Sequence, residues 1–418
     1  MLRFKNTYNF LVTHRKYLVL NFRNAFISQF KICIYFIIFS FYSCSSQNTS
    51  NTVIVGANET EVYIELLHHK NIAVVANQTT VIFKNEYQNT YTHLVDSLLS
   101  RNINITKVFS PEHGFRGKAD AAEHVANGID KKTGLPIISL YGKNKKPSTQ
   151  QLEGLDLVVF DIQDVGVRFY TYISTLHYVM EACAENNISL IVLDRPNPNG
   201  HYVDGPTLDL KYRSFVGMHP VPLVYGMTIG EYAQMINGEK WLKNKISCNL
   251  TVVPLKKYTH KSEYNLPIRP SPNLPNSKSI NLYPSLGFFE GTPINAGRGT
   301  EFQFQRFGSA KFKPTEFAYF PKPNFGSKYP KDTEKKCYGF DLSKEEKLSH
   351  VHIKWLKQAF ELYPEKTQFF GKTFTIHAGN EKLRSQLEKG TSEKKIRASW
   401  QKDIEKFRKI RKRYLIYQ

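Results

Sequence analysis

Short apolar runs alternating with helical stripes dominate the first half of the chain. Residues 71–77 (NIAVVAN) form one such run, and a run of this length reads as a buried strand. In residues 91–101, Leu94, Val95, Leu98 and Leu99 recur at helical spacing. Further strands are expected at 103–109, 135–140, 157–161 and 189–194, with a helix over 171–185. Strands and helices in alternation predict an α/β fold with a parallel sheet covered by helices on both faces.

The polar residues cluster where those strands end. In open parallel sheets, ligands bind beyond the carboxyl ends of the strands. The first strand opens into Asn77, Gln78 and Thr79, and the second into SPEHGFRG (110–117). The fourth ends in FDIQDVGVRFYTY (160–172) and the fifth in DRPNPNG (194–200). Four such loops on one edge would form a cleft of carboxylates, amides, arginines and tyrosines, the chemistry of sugar binding. No G-x-G-x-x-G follows the first strand, so no dinucleotide cofactor is expected. No H-E-x-x-H or paired-histidine motif points to a metal.

From residue 230 the rhythm is lost. Proline-rich turns appear in RPSPNLPNS (269–277) and NLYPSLGFFEGTPINAGRGTEF (281–302). Ile396, Trp400, Ile404, Phe407 and Ile410 then form an apolar stripe read as core packing. A length of 418 residues, 41% of them hydrophobic, suits two domains. They are placed at 53–230 and 231–418, with the site in the cleft between them.

Charge changes the picture at the N-terminus. The formal charge is +21, but residues 1–44 hold six basic residues and no acid, leaving +15 for the rest. A basic stretch, the apolar run ICIYFIIFSFYS (32–43) and Cys44 resemble a bacterial lipoprotein signal, with Cys44 lipidated and 45–52 a polar linker. The expected place is therefore the cell envelope, anchored to the membrane through Cys44; a secreted or periplasmic soluble form is the alternative. The remaining basic surface suits an anionic wall polymer, and no nucleic-acid motif is present. Cys183, Cys248 and Cys337 are scattered, without a Cys-x-x-Cys pair, and are expected to be buried free thiols.

Long motifs run in order through the chain: SPEHGFRG, TGLPIISLYG (133–142), DLVVFDIQDVGVRFYTYISTL (156–176), VLDRPNPNG (192–200), SFVGMHPVP (214–222), YGMTIGEYA (225–233), PSPNLP (270–275) and FEGTPINAGRGT (289–300). On these the chain resembles the exo-β-N-acetylmuramidase family (NamZ-type, glycoside hydrolase family 171), from about residue 53 to 417. The resemblance implies a Rossmann-like N-terminal domain and a smaller α/β C-terminal domain. It also implies release of N-acetylmuramic acid from the non-reducing end of peptidoglycan-derived glycans. Two departures bear on substrate preference: Tyr225 stands where many members carry histidine, and Pro293 where the family has asparagine.

Glycoside hydrolysis needs a proton donor and a second group on the other face of the sugar. An acid catalyst needs a carboxyl partly shielded from water, which the strand-end loop carrying Glu112 can supply; Glu112 also matches the family's Pro-Glu-His-Gly glutamate. Candidates for the second group are Asp164, Glu290, Asp161, Asp194 and Glu123, with Asp164 and Glu290 preferred. The substrate's own acetamido oxygen could replace a protein nucleophile. The lactyl carboxylate of N-acetylmuramic acid calls for a cation, and Arg116, Arg168, Arg195 and Arg298 all lie in the motifs. Asn77, Gln78, His113, Tyr170, Tyr172, Asn197, Tyr225 and Asn273 complete the expected sugar-binding set. A non-catalytic peptidoglycan-binding lipoprotein is the competing reading. A serine hydrolase lacks its G-x-S-x-G elbow.

Overall fold

A computed structural model describes residues 52–116 and 127–418. The signal segment, Cys33, Cys44 and Glu123 lie outside the described residues. The strands among the described residues are β1 (Ile72–Ala76), β2 (Val81–Phe83), β3 (Tyr91–His93), β4 (Ile105–Ser110), β5 (Gly128–Ile129) and β6 (Pro136–Ser139). There follow β7 (Leu157–Asp161), β8 (Ser189–Leu193), β9 (Leu250–Val253), β10 (Arg306–Ser309), β11 (Phe317–Tyr319) and β12 (Cys337–Asp341).

The main sheet runs β5-β6-β4-β1-β7-β8-β9. In it only β5 pairs antiparallel; the other neighbours are parallel. Counted along the chain, the six parallel strands stand in the order 3-2-1-4-5-6, the doubly wound Rossmann arrangement, with its switch point between β1 and β7.

β1 and β7 are buried at every position, as the apolar runs require of strands covered on both faces. Successive side chains alternate between two cores. Ala73, Val75, Val158 and Phe160 face one core with the Tyr172–Glu185 and Ile229–Gly238 helices. Ile72, Val74, Leu157 and Val159 face the other, with the Thr60–Leu67 and Leu94–Ser100 helices.

The first of these cores continues into the second half of the chain through Ile280, Phe288, Phe307, Trp355, Ile404 and Phe407. There β10, β12 and β11 form a small antiparallel sheet. Phe307 of β10 stacks between Phe289 and Phe340, at 5.1 and 5.2 Å between ring centroids. That stack fixes the backbone beside Glu290. Gly291 packs on the Phe374–Ala378 helix so closely that a Cβ would lie 2.4 Å from the Phe374 Cα.

The C-terminus returns to the main sheet. The Tyr417 hydroxyl donates to Asp194 (2.7 Å) and accepts from the Leu255 amide (2.8 Å). Asp194 also accepts from Thr228 and the Gly230 amide, so it ties down a helix start and the chain end. Burial lifts its pKa to about 6 despite these donors.

Several expectations shift in detail. The helix expected over 91–101 begins at Leu94, because Tyr91–His93 pairs with β2. The sheet takes β9 from beyond residue 230. The C-terminal stripe is divided between the Glu393–Ala398 and Gln401–Arg411 helices, with Ile410 half-buried. Cys183, Cys248 and Cys337 are buried and free.

Candidate active site

A cavity of ≈ 500 Å³ opens beyond the carboxyl ends of β4, β6 and β7, within the usual size range for a small-molecule site. The sheet contributes Glu112 and His113 after β4, Tyr141 and Gly142 after β6, and Phe169, Tyr170 and Thr171 after β7. The later chain contributes Asn273, Tyr283, Glu290, Arg298, Phe304 and His377. Among the described residues, two carboxylates thus line one cavity, one from each half of the chain.

Glu112 sits in a tight turn. His113 and Gly114 both adopt positive φ, at 72° and 79°, which bends the strand-end loop sharply after the glutamate. The Thr171 hydroxyl donates to Glu112 Oε2 at 2.8 Å. Tyr141 hydrogen-bonds the same carboxylate, and burial together with that negative charge holds the tyrosine pKa up. Two hydroxyls from neighbouring strand ends therefore set the orientation of Glu112.

Glu290 is held differently. Arg298 Nη1 lies 3.4 Å from both of its carboxylate oxygens. Burial pushes the Glu290 pKa up, but Arg298, Lys331 and His377 outweigh it and hold the carboxyl below its ordinary value. Lys331 is anchored nearby, its ammonium donating to the Phe289 and Thr292 carbonyls at 2.7 and 2.5 Å. Glu290 is thereby kept ionised, suited to face positive charge or to orient a polar group, and not to donate a proton.

Aromatic rings form the cavity wall. Tyr170 meets Tyr172 edge-on at 4.7 Å, and Tyr283 meets Phe304 at 4.7 Å and Phe169 at 5.0 Å. Tyr170 and Tyr172 both donate to the Pro270 carbonyl, at 2.8 and 3.3 Å. These bonds tie the β7 loop to the PSPNLP turn that presents Asn273.

The structure brings Glu112, His113, Tyr170, Asn273, Glu290 and Arg298 to the cavity. Among the described residues, the other expected ones are not part of its lining and are engaged elsewhere. Asp164 is buried: its Oδ2 accepts from the Gly166 amide at 2.7 Å and from the Tyr225 hydroxyl, while Oδ1 has no hydrogen-bond partner among the described residues. Burial lifts its pKa to about 6, against the lowering effect of those donors. Asp161 and Arg195 form a fully buried bidentate pair at 2.6 and 2.8 Å. Arg116 pairs with Asp130 at 2.7 Å. Arg168 has no exposed surface and donates to the carbonyls of Pro206 (2.5 Å), Val221 (3.2 Å) and His377 (3.0 Å). It pins the segment carrying His377 from behind the wall.

The amides are structural in the same sense. Asn77 donates to the Tyr172 hydroxyl at 2.9 Å and accepts from the Thr79 amide. Gln78 donates to the Arg269 carbonyl at 3.0 Å. Asn197 bridges the Met227 carbonyl and the Asn199 amide at 2.7 and 2.8 Å. The β1 and β8 loops therefore buttress the cavity from behind.

Sequence reasoning missed Tyr141, Thr171, Lys145, Tyr283, Phe304 and His377. Tyr141 and Thr171 lie inside the long motifs, Thr171 between Tyr170 and Tyr172, so a signal was present for both. His377 has no local signal, because the packing of its short helix on Gly291 and the Arg168 bond to its carbonyl are tertiary contacts.

Comparison with known proteins gives the family of the chain. The family model described as exo-beta-N-acetylmuramidase NamZ, N-terminal, matches residues 72–278, and its C-terminal counterpart matches 281–417. The peptidoglycan beta-N-acetylmuramidase NamZ of Bacillus subtilis (strain 168) is 42% identical over 337 residues, covering 76% of this chain and 80% of the relative. Two crystal structures of DUF1343 family proteins from Bacteroides fragilis NCTC 9343 superpose with TM-scores of 0.80 and 0.75, at 44% and 30% identity. Each covers 88% of this chain and 99% of its own. In sequence over most of its length and in fold, the chain belongs to the exo-beta-N-acetylmuramidase NamZ family.

Proposed function

We propose that the chain is an exo-acting glycoside hydrolase that releases N-acetylmuramic acid from the non-reducing end of peptidoglycan-derived glycans. The observation that carries this reading is the pair Glu112 and Glu290 lining one cavity, in a member of a family whose Bacillus subtilis relative is a peptidoglycan beta-N-acetylmuramidase. Glu112, oriented by Thr171 and Tyr141, is the proton donor to the leaving oxygen. Glu290, kept ionised by Arg298, supplies the negative charge that the oxocarbenium-like transition state demands, or orients the substrate's acetamido group. Arg298 is the expected arginine that lines the cavity and serves as reader of the lactyl carboxylate, since the guanidinium fork matches carboxylate geometry. Tyr170 and the rings beside it supply the apolar face for the sugar.

The envelope setting rests on the N-terminal sequence: a lipid anchor on Cys44 would hold the enzyme at the membrane beside its wall-derived substrate. The test is product analysis with peptide-free glycans of several lengths. Free N-acetylmuramic acid should appear from every length, with the remaining chain one residue shorter. Internal fragments would refute exo action, and tight binding without any product would favour the binding-protein reading.

A further inference from the structure

A second cavity of ≈ 250 Å³, about half the volume of the first, adjoins the active site. The two share Glu290 and Arg298, so the charged pair stands at their junction. Phe289, Ile294 and Ala296 give the second cavity its apolar lining, and Lys331 joins Arg298 as a second cation; the buried Asn295 amide is already bonded to the Arg298 and Lys331 carbonyls and the Gly297 amide. The lip of the cavity is Tyr329, which is 92% exposed. A tyrosine left so open gains little from burial, whereas an amphipathic ring at a cavity mouth can cover the C–H face of a sugar. Around it the same chain segments expose Phe302, Phe320 and Phe325. The segments are joined there: the Lys322 amide donates to the Gly299 carbonyl at 2.8 Å and Asn324 to the Thr300 carbonyl at 3.2 Å. They also reach the first cavity, since a Cβ on Gly326 would lie 2.9 Å from Asn273 Oδ1.

Resting on the muramidase reading, we infer that this second cavity is the subsite for the sugar on the leaving side of the scissile bond, an N-acetylhexosamine, with Tyr329 as its stacking platform. The first cavity then holds the terminal N-acetylmuramic acid, and the bond to be broken crosses the junction at Glu290 and Arg298. The apolar lining and the exposed ring suit the C–H face of a pyranose, while the Lys331 ammonium is taken up by the Phe289, Thr292 and Ile294 carbonyls. The glycan beyond it would leave across Phe320 and Phe325, which suits an enzyme that accepts chains of varied length.

The test compares two substrates that differ only in what leaves. One is the N-acetylmuramic acid–N-acetylglucosamine disaccharide; the other is the β-fluoride of N-acetylmuramic acid, whose leaving group is a single atom. For Tyr329→Ala, the ratio of kcat/KM for the disaccharide over the fluoride is expected to fall at least fivefold from wild type. Because Tyr329 is exposed, the substitution leaves the fold intact, which a thermal melt checks. An unchanged ratio overturns the inference: equal losses on both substrates would place Tyr329 on the N-acetylmuramic acid itself, for instance at its lactyl arm, and no loss on either would leave it idle. Wild type inert toward both substrates would overturn the muramidase reading and the inference with it.

Discussion

Replacing Asp164 by asparagine separates a buried structural carboxyl from a catalytic one. In the protein, Asp164 Oδ2 accepts from the Gly166 amide and the Tyr225 hydroxyl, and Oδ1 has no partner among the described residues. Asparagine can place its carbonyl oxygen at the Oδ2 position and so resembles the protonated acid in shape and bonding. The folded carboxyl titrates at about 6, against an ordinary value of 3.8, with burial as the main cause. The sign follows from the protons bound. Between these values the unfolded chain has lost its proton and the native one has kept it, so wild-type stability falls as pH rises. The difference amounts to about 3 kcal/mol, at 1.36 kcal/mol per pH unit, and is fully developed above pH ~6. Urea unfolding of wild type and Asp164→Asn from pH 4 to pH 7.5 should therefore show the variant gaining stability relative to wild type by on the order of 2–3 kcal/mol as pH rises. Other titrating groups cancel in that difference. Activity should fall by about tenfold or less, because Asp164 lies behind the Tyr170 wall and not in the cavity. A pH-independent stability difference would refute the buried-carboxyl account. A rate loss of about a thousandfold or more in a folded variant would put Asp164 back in the chemistry.

Three further outcomes follow from the same contacts. Arg298→Gln removes the main cation holding Glu290 ionised; Glu290 should then protonate at higher pH, moving the acid limb of the kcat/KM profile upward, and an unmoved limb would count against an ionised Glu290. Tyr417→Phe leaves the buried Leu255 amide without its acceptor and removes one donor from Asp194; a loss of about 1–3 kcal/mol is expected in urea unfolding, with kcat unchanged. Arg168→Met strips the donors from the Pro206, Val221 and His377 carbonyls, and should destabilise the protein by about 2–4 kcal/mol, read as a lowered Tm.

Much of the architecture was legible because buried parallel strands are written as apolar runs. NIAVVAN and LVVFD mark β1 and β7 almost to the residue. β9, with two of its four positions half-buried and one exposed, lacks that signature, and its place at the sheet edge depends on pairing with β8. In the small sheet β10 and β12 carry glycines and charges in place of alternation and β11 is only three residues long, so their pairing is a tertiary event.

Of the expected residues, Glu112, Glu290 and Arg298 line the cavity, where strand-end position or motif had marked a polar residue. The sequence was misleading where chemistry alone was used. Arg168, Arg195 and Arg116 have the right head group for a lactyl carboxylate, but each is committed to backbone carbonyls or an aspartate. A sequence displays a residue's donors without showing which of them folding has already occupied. Asn77 and Asn197 follow the same rule, as amides that shape loops behind the cavity wall.

The central claim, that Glu112 delivers the proton in release of N-acetylmuramic acid, is tested most directly by comparing Glu112→Gln with wild type on the N-acetylmuramic acid–N-acetylglucosamine disaccharide. Glutamine keeps an acceptor for the Thr171 hydroxyl and so preserves the loop while removing the transferable proton. Free N-acetylmuramic acid should appear with wild type, and its rate should fall by about a hundredfold or more in the variant while disaccharide binding persists. Release that continues at near wild-type rate in a folded Glu112→Gln protein would contradict the assignment.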